Sequence, residues 1–102
     1  MQYIKTHWIH NEPDEPVWIY SELDADRWEA RKVEIFPDGR LGYADATGST
    51  GSTWLGEVPV PPLSEIDAPG ELETVEINSE EFESVWARRL SPAPHLLGDR
   101  RA

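Results

Sequence analysis

Residues 27–44, RWEARKVEIFPDGRLGYA, decide the fold, because they hold the clearest turn signal between two strand-like segments. Proline presets φ at the first central position of a tight turn, and glycine accepts the positive φ that many hairpins require. The four residues Pro37-Asp38-Gly39-Arg40 therefore predict a hairpin. It joins a long strand over residues 27–36 to a returning strand over residues 41–44.

The long strand changes phase along its length. Trp28 and Ala30 lie on one face, whereas Val33 and Ile35 lie on the other. Two interpretations remain open: either both faces of the sheet are partly covered, or a bulge near Arg31 exchanges the faces.

The sequence NSEEFESVWARRL, residues 78–90, predicts a C-terminal helix. Phe82, Val85 and Trp86 recur at helical spacing and form one apolar stripe. Asn78 or Ser79 is the expected cap, since acidic residues follow in the first turn and arginines close the last one.

The rest of the chain predicts further short elements. Strands are expected over residues 2–10, 17–23, 54–60 and 71–77, a helical turn over 63–68, and a flexible loop over 47–53. The predicted fold is a single α+β domain over residues 1–90, mainly an antiparallel sheet of four to six strands with the helix packed on one face. Residues 91–102 are expected to form a flexible tail.

Composition excludes several classes of protein. The 102 residues contain no cysteine, which excludes disulfides and thiol catalysis, and no apolar run is long enough to span a bilayer. A cytoplasmic location is the expectation. His7 and His10 would point to opposite faces of a strand, so no metal site is expected. No carboxylate pair stands out as buried or poised for acid–base chemistry, and no serine lies in the sequence context of a catalytic nucleophile. We therefore expect neither enzymatic activity nor a cofactor.

Charge is the strongest functional signal. Residues 41–87 carry ten acidic residues and no Lys or Arg, within a net charge of −11. Binding of nucleic acid or anionic membranes needs basic patches, so neither is expected. A solubilising role for the charge is the plain alternative to a docking role. A one-signed stretch favours a basic protein partner, because complementary charge accelerates encounter.

Eight residues are the candidate partner-binding set. Six acidic residues would supply the charge and two tryptophans the apolar anchors: Glu57, Glu65, Asp67, Glu71, Glu73, Glu76, Trp18 and Trp54. The other three tryptophans, Trp8, Trp28 and Trp86, lie in periodic segments and are expected in the core.

Four stretches of this sequence resemble the corresponding stretches of a family of short bacterial proteins of unknown function. They are Tyr3-Ile4-Lys5 with Trp8-Ile9-His10, Glu15-Pro16-Val17 with residues 20–24, residues 31–36 with Asp38-Gly39-Arg40, and residues 55–59 with Pro61-Pro62-Leu63. The similarity covers about residues 2–88. Such families often include proteins from toxin–immunity or phage-defence neighbourhoods, and the resemblance assigns no functional residue.

Two hypotheses of function follow. The first is a non-enzymatic interaction protein, an immunity-type inhibitor of a basic bacterial effector or nuclease. The second is a small-ligand or carbohydrate-binding module, in which Trp18, Trp28 or Trp54 offers a stacking platform.

Overall fold

The computed structural model describes residues 1–51, 53–66 and 70–90. One six-stranded antiparallel sheet carries a C-terminal helix, so the predicted α+β fold is confirmed. The strands are β1 (Gln2–Trp8), β2 (Trp18–Leu23), β3 (Glu29–Ile35), β4 (Leu41–Asp45), β5 (Gly48–Ser49) and β6 (Leu72–Ile77). The helices are α1 (Leu63–Ile66) and α2 (Ser79–Ala87), and a 3₁₀ turn (Arg88–Leu90) follows α2.

The strand order across the sheet is β5-β4-β3-β2-β1-β6. Strands β1 to β5 therefore follow one another as neighbours, as expected where short turns join antiparallel strands. The connection from β5 to β6 is different, because it must cross from one edge of the sheet to the other.

The predicted hairpin between β3 and β4 is confirmed. Gly39 adopts a φ of +89°, and its N–H donates to the Phe36 carbonyl at 2.8 Å. Ile35 then pairs with Leu41 across the ladder. The turn thus fixes the register between β3 and β4, which determines which residues of the two strands lie opposite each other.

The phase change in β3 has a structural cause. Glu22 of β2 pairs with Arg31, but the next residue, Leu23, pairs with Glu29. Ala30 is therefore an extra residue on β3, and a bulge of this kind shifts the alternation of faces. The bulge predicted near Arg31 is confirmed.

Helix α2 covers one face of the sheet, here called the helix face. The Asn78 side chain accepts a hydrogen bond from the Glu81 N–H at 2.8 Å, which identifies Asn78 as the cap. Phe82, Val85 and Trp86 are buried against Val33, which confirms the predicted packing stripe. The apolar periodicity of the helix thus positions it on the sheet.

An extended segment lies on the opposite face; residues 53–62 are here called the cover segment. The Gly56 N–H donates to the Glu29 carboxylate, and the Val60 N–H donates to the Arg27 carbonyl at 2.7 Å. Since side chains and a turn carbonyl satisfy this backbone, the described part of the segment forms no strand. The prediction of a strand over residues 54–60 is wrong. Both faces of the sheet are partly covered, so the first interpretation of the phase change in β3 holds as well.

Two other predictions need correction. The predicted loop over residues 47–53 contains the short strand β5, which pairs with β4 at the edge of the sheet. Trp28 was expected in the core but is 42% exposed, because it lies in the turn just before β3. The predicted tail, residues 91–102, lies outside the described residues. Among the described helices, none is long and apolar enough to cross a bilayer.

Candidate functional site

Three of the predicted partner-binding acids lie on strand β6 or directly before it, at one edge of the sheet. Glu73 pairs with His7 of β1 and Glu76 pairs with Ile4, whereas Glu71 immediately precedes the strand. Directly paired residues share a face, so Glu73 lies on the helix face and Glu76 on the opposite one. All three acids are exposed. Within the described ranges, none of the three forms a salt bridge.

Trp18 lies on the helix face in line with Glu73. Across three adjacent strands, Trp18 pairs with His7 and His7 pairs with Glu73. The Trp18 and His7 rings stack with centroids 4.3 Å apart and an interplanar angle of 13°. We call these three residues the Trp18–Glu73 row. It joins an aromatic surface to a carboxylate on one side of the sheet.

The Trp18–Glu73 row lies outside the packing of helix α2. Tyr3, Tyr20 and Ile35 contact the core cluster, but Trp18 and His7 are not among the side chains packed against it. Lys5 lies between the row and the helix, and its ammonium is 5.3 Å from the centroid of the Trp18 ring. The row is thus a partly exposed strip beside the helix, open at the β6 edge.

The remaining predicted residues lie elsewhere. Trp54 and Glu57 belong to the cover segment on the opposite face, where Trp54 is 66% exposed and its carbonyl accepts from Lys32 Nζ at 3.2 Å. Glu65 is exposed on α1. Asp67 lies outside the described residues. The candidate set is therefore divided between the two sides of the sheet.

The acids of α2 have a different environment, because cations from the N-terminal strands pair with them. Lys5 Nζ lies 2.8 Å from Glu81, and Arg31 bridges Glu22 of β2 and Glu83 of α2. The Arg31 guanidinium also lies 4.9 Å from the Phe82 ring centroid. These carboxylates are engaged in holding the helix on the sheet.

Titration behaviour follows from this network. Hydrogen bonds from Arg31 hold the pKa of Glu22 below its ordinary value, and the same guanidinium lowers the pKa of Glu83. Burial raises the pKa of the Tyr3 hydroxyl, and its hydrogen bond to Glu22 adds to that rise. Arg31, flanked by two carboxylates, stays charged. The arrangement suits a structural ion pair, since its carboxylates are neutralised and neither is held protonated.

The histidines lie apart. His7 stacks on Trp18, whereas His10 accepts from the Glu12 N–H at 2.9 Å through Nδ1 and donates to the Pro16 carbonyl at 2.8 Å through Nε2. Through these two contacts His10 holds the β1–β2 connection. Within the part of the chain that the structure describes, no three His, Asp or Glu side chains are grouped as metal ligands.

His7 is the residue that sequence reasoning missed. Its stacking with Trp18 depends on the register between β1 and β2, and its position opposite Glu73 depends on pairing with a strand more than sixty positions away in sequence. The alternation of side chains along each strand predicts which residues share a face within that strand. It does not predict how separate strands align.

The structure defines a small α+β domain with exposed acidic residues at the β6 edge of its sheet. Residues 2–91 match the family model of DUF6881, described as a domain of unknown function, and the chain belongs to that family. No match was found among curated proteins, and none among solved structures.

Proposed function

We propose that this chain is a non-enzymatic interaction protein that binds a cationic protein through its β6 edge. The observation that carries the proposal is the placement of the Trp18–Glu73 row next to Glu71, since neither Glu71 nor Glu73 forms a salt bridge within the described residues. A cationic side chain there would be attracted by the Glu73 carboxylate, and the Trp18 ring, stacked on His7 and close to Lys5, would supply apolar contact area beside it.

Differences among the acids support this choice of surface. Glu81 and Glu83 pair with cations of the sheet, so their charge is largely used within the fold. Glu71 and Glu73 have no such partner among the described residues, and Val75 between Glu73 and Glu76 is 52% exposed. Exposed apolar area flanked by unpaired charge is typical of a docking surface.

The finer proposal is an immunity-type inhibitor of a basic bacterial effector or nuclease. A basic effector presents clustered Lys and Arg side chains, which would complement the carboxylates on β6. Complementary charge accelerates association and discriminates against acidic proteins. A location in the cytoplasm, where such an inhibitor would meet its target, belongs to the same proposal.

The test begins with affinity capture from the native host at low salt and elution by rising salt. Binding of the eluted cationic protein is then compared in two charge-reversed variants, Glu71→Lys/Glu73→Lys and Glu57→Lys/Glu65→Lys. Both variants make the same change in net charge at exposed positions. Since a close interfacial charge pair contributes about 1.5 kcal/mol or more, the β6 variant should bind roughly 100-fold more weakly. The control should change affinity only slightly.

Two results would contradict the proposal. One is an equal loss of affinity in both variants, which would show that total charge and not the β6 edge governs binding. The other is a partner whose binding does not weaken as salt rises, because exposed charge pairs are screened by ions. Trp18→Ala provides an independent check, since removal of the aromatic ring should weaken binding without changing the charge.

A second function is favoured by the tryptophans of the opposite side. Trp54 is 66% exposed and Trp28 is 42% exposed, and exposed indole rings can stack on sugars or nucleosides. Intrinsic fluorescence separates the two proposals. Saturable quenching by a carbohydrate or nucleoside, abolished in Trp54→Ala, would support a small-ligand module. Absence of quenching across the panel would favour the protein partner.

A further inference from the structure

A cavity of about 330 Å³ opens beside the β3–β4 hairpin, on the side of the sheet that faces the cover segment. Its lining includes Phe36, Arg40, Gly42, Thr50, Gly51 and Thr53. This volume falls at the lower end of the range for small-molecule sites, roughly 300–1,000 Å³. Three strands separate its walls on β4 from the acidic strand β6, so it is distinct from the Trp18–Glu73 row.

Arg40 supplies the positive charge of the cavity. Its guanidinium lies over the Phe36 ring, 4.4 Å from the ring centroid, at one wall of the cavity. Within the described ranges, no carboxylate forms a salt bridge with it. The nearby Asp38 carboxylate accepts from the Arg40 backbone N–H at 3.0 Å, as an aspartate in a turn commonly does. The guanidinium therefore retains N–H donors for a ligand.

Two threonine hydroxyls give the cavity a polar pattern. Thr50 Oγ1 accepts from the Tyr43 N–H at 2.9 Å, while its own hydrogen reaches the Tyr43 carbonyl only at 3.5 Å. This hydrogen bond is long and weak, so the Thr50 hydroxyl can exchange it for a stronger acceptor. The Thr53 hydroxyl already donates its hydrogen to the Glu34 carboxylate at 2.6 Å. Toward a ligand, the Thr53 oxygen can therefore only accept a hydrogen bond. The donors of the cavity are thus Arg40 and Thr50.

We propose that this cavity binds a small organic anion with a flat apolar body. The anionic group would lie against the Arg40 guanidinium and the Thr50 hydroxyl, and the apolar body against the Phe36 ring. Carboxylates and phosphates accept the paired N–H groups of arginine in a fixed geometry, and these bonds are stronger than neutral ones. A cationic ligand would be repelled by the guanidinium, and the Glu34 carboxylate behind Thr53 is engaged by the Thr53 hydroxyl. Arg40 therefore favours a negatively charged ligand here, in contrast to the β6 edge.

The test is an NMR titration of the full chain with benzoate, and with benzylamine and benzyl alcohol as cationic and neutral probes of similar size. Benzoate should give saturable shifts at the backbone amides of Gly42, Thr50 and Gly51. The other two probes should bind at least several-fold more weakly. Arg40→Gln should weaken benzoate binding about 10-fold or more, because a hydrogen bond to a charged group is lost.

Two further variants keep the result interpretable. Arg88→Gln makes the same change in charge on an exposed residue beyond α2, so benzoate affinity should be unchanged. Arg40→Lys keeps the charge but loses the planar fork, and should bind with intermediate affinity. The proposal fails if benzoate gives no saturable shift at millimolar concentration, or if benzylamine binds equally well. It also fails if folded Arg40→Gln binds benzoate as tightly as the unaltered chain.

Discussion

The two faces of the sheet are covered in different ways. On the helix face, Val33 and Phe82 are fully buried and the helix docks through apolar side chains. On the opposite face, the cover segment docks through polar contacts around Glu29, which also accepts from Lys32 Nζ at 2.9 Å. The helix is held by apolar area removed from water, whereas the cover segment makes directed hydrogen bonds to side chains of β3, on a face that also buries Leu23 and Ile4.

This difference has an energetic consequence. Burial of an apolar side chain contributes about 1.5–3 kcal/mol, whereas a typical hydrogen bond contributes a net 0.5–1.5 kcal/mol, since it replaces a bond to water. We therefore expect the largest losses of stability from substitutions under the helix. Substitutions of the polar groups that hold the cover segment should cost less.

Trp86→Ala should have the largest effect. The ring is 8% exposed and packs edge-on against Tyr43 at 5.8 Å, so its removal leaves a cavity. Such a change should lower the free energy of unfolding by about 3–5 kcal/mol in urea melts. Trp54→Ala is the matched control. Because Trp54 is 66% exposed, its loss should change stability by about 0.5 kcal/mol or less. Similar losses in both variants would contradict the assignment of the core.

Arg31→Met should come next. The substitution keeps an apolar stem against Phe82 but leaves the Glu22 carboxylate, 8% exposed, without its cation. An uncompensated buried charge costs about 3 kcal/mol, which urea melts at neutral pH should detect. Glu83→Gln removes only the exposed partner of Arg31 and is the control. A neutral outcome for Arg31→Met would show that Glu22 is solvated or paired in another way.

The same ion pair predicts a pH dependence. Arg31 lowers the pKa of Glu22 in the folded state, so the pair stabilises the fold above the ordinary carboxyl pKa of about 4.3. This stability is lost as pH falls through the lowered folded-state pKa. The difference between the unaltered chain and Arg31→Met should therefore be largest at neutral pH and should shrink under acid conditions. A difference that stays constant with pH would exclude Glu22 as its source.

Glu29→Gln tests the cover segment. The Glu29 carboxylate accepts from the Gly56 N–H at 2.6 Å and from the Ser21 hydroxyl at 3.1 Å. An amide can satisfy only part of this arrangement, so we expect a loss of about 1–2 kcal/mol, measured by urea unfolding. Glu57→Gln is the control, since Glu57 is exposed. A loss as large as that of Trp86→Ala would contradict the distinction between the two faces.

Asn78→Ala should have the smallest effect. The Asn78 side chain caps α2, and loss of such a cap typically costs about 1 kcal/mol. The neighbouring residue, Ser79, was the alternative cap by sequence. Ser79→Ala should therefore be close to neutral in the same thermal or urea unfolding measurement. A larger loss of stability in Ser79→Ala than in Asn78→Ala would show that Ser79 is the capping residue.

The sequence predicted the helix face better than its opposite. Phe82, Val85 and Trp86 repeat at a helical period, and Pro37 and Gly39 are typical turn residues. Local patterns were therefore sufficient to predict the helix and the hairpin. The cover segment has no period. Its position depends on single contacts with Glu29 and Arg27, which are distant in sequence.

The candidate site was predictable only in part, for the same reason. The composition indicated acidic residues and tryptophans as candidate partner-binding residues. Strand pairing in the structure aligns two of them, Trp18 and Glu73. It places Trp54 on the other side of the sheet, a separation that no local pattern encodes. His7, between Trp18 and Glu73, follows only from the register of three strands.

Arg27 has a consequence for the sequence of folding events. Its φ is +67°, uncommon for a residue with a side chain, and its guanidinium donates to Gln2 at 2.6 Å and to the carbonyls of Val60 and Pro61. These acceptors come together only after β1 and β3 have paired through β2. We therefore expect the cover segment to attach after the rate-limiting barrier, so that its substitutions accelerate unfolding and leave the refolding rate almost unchanged.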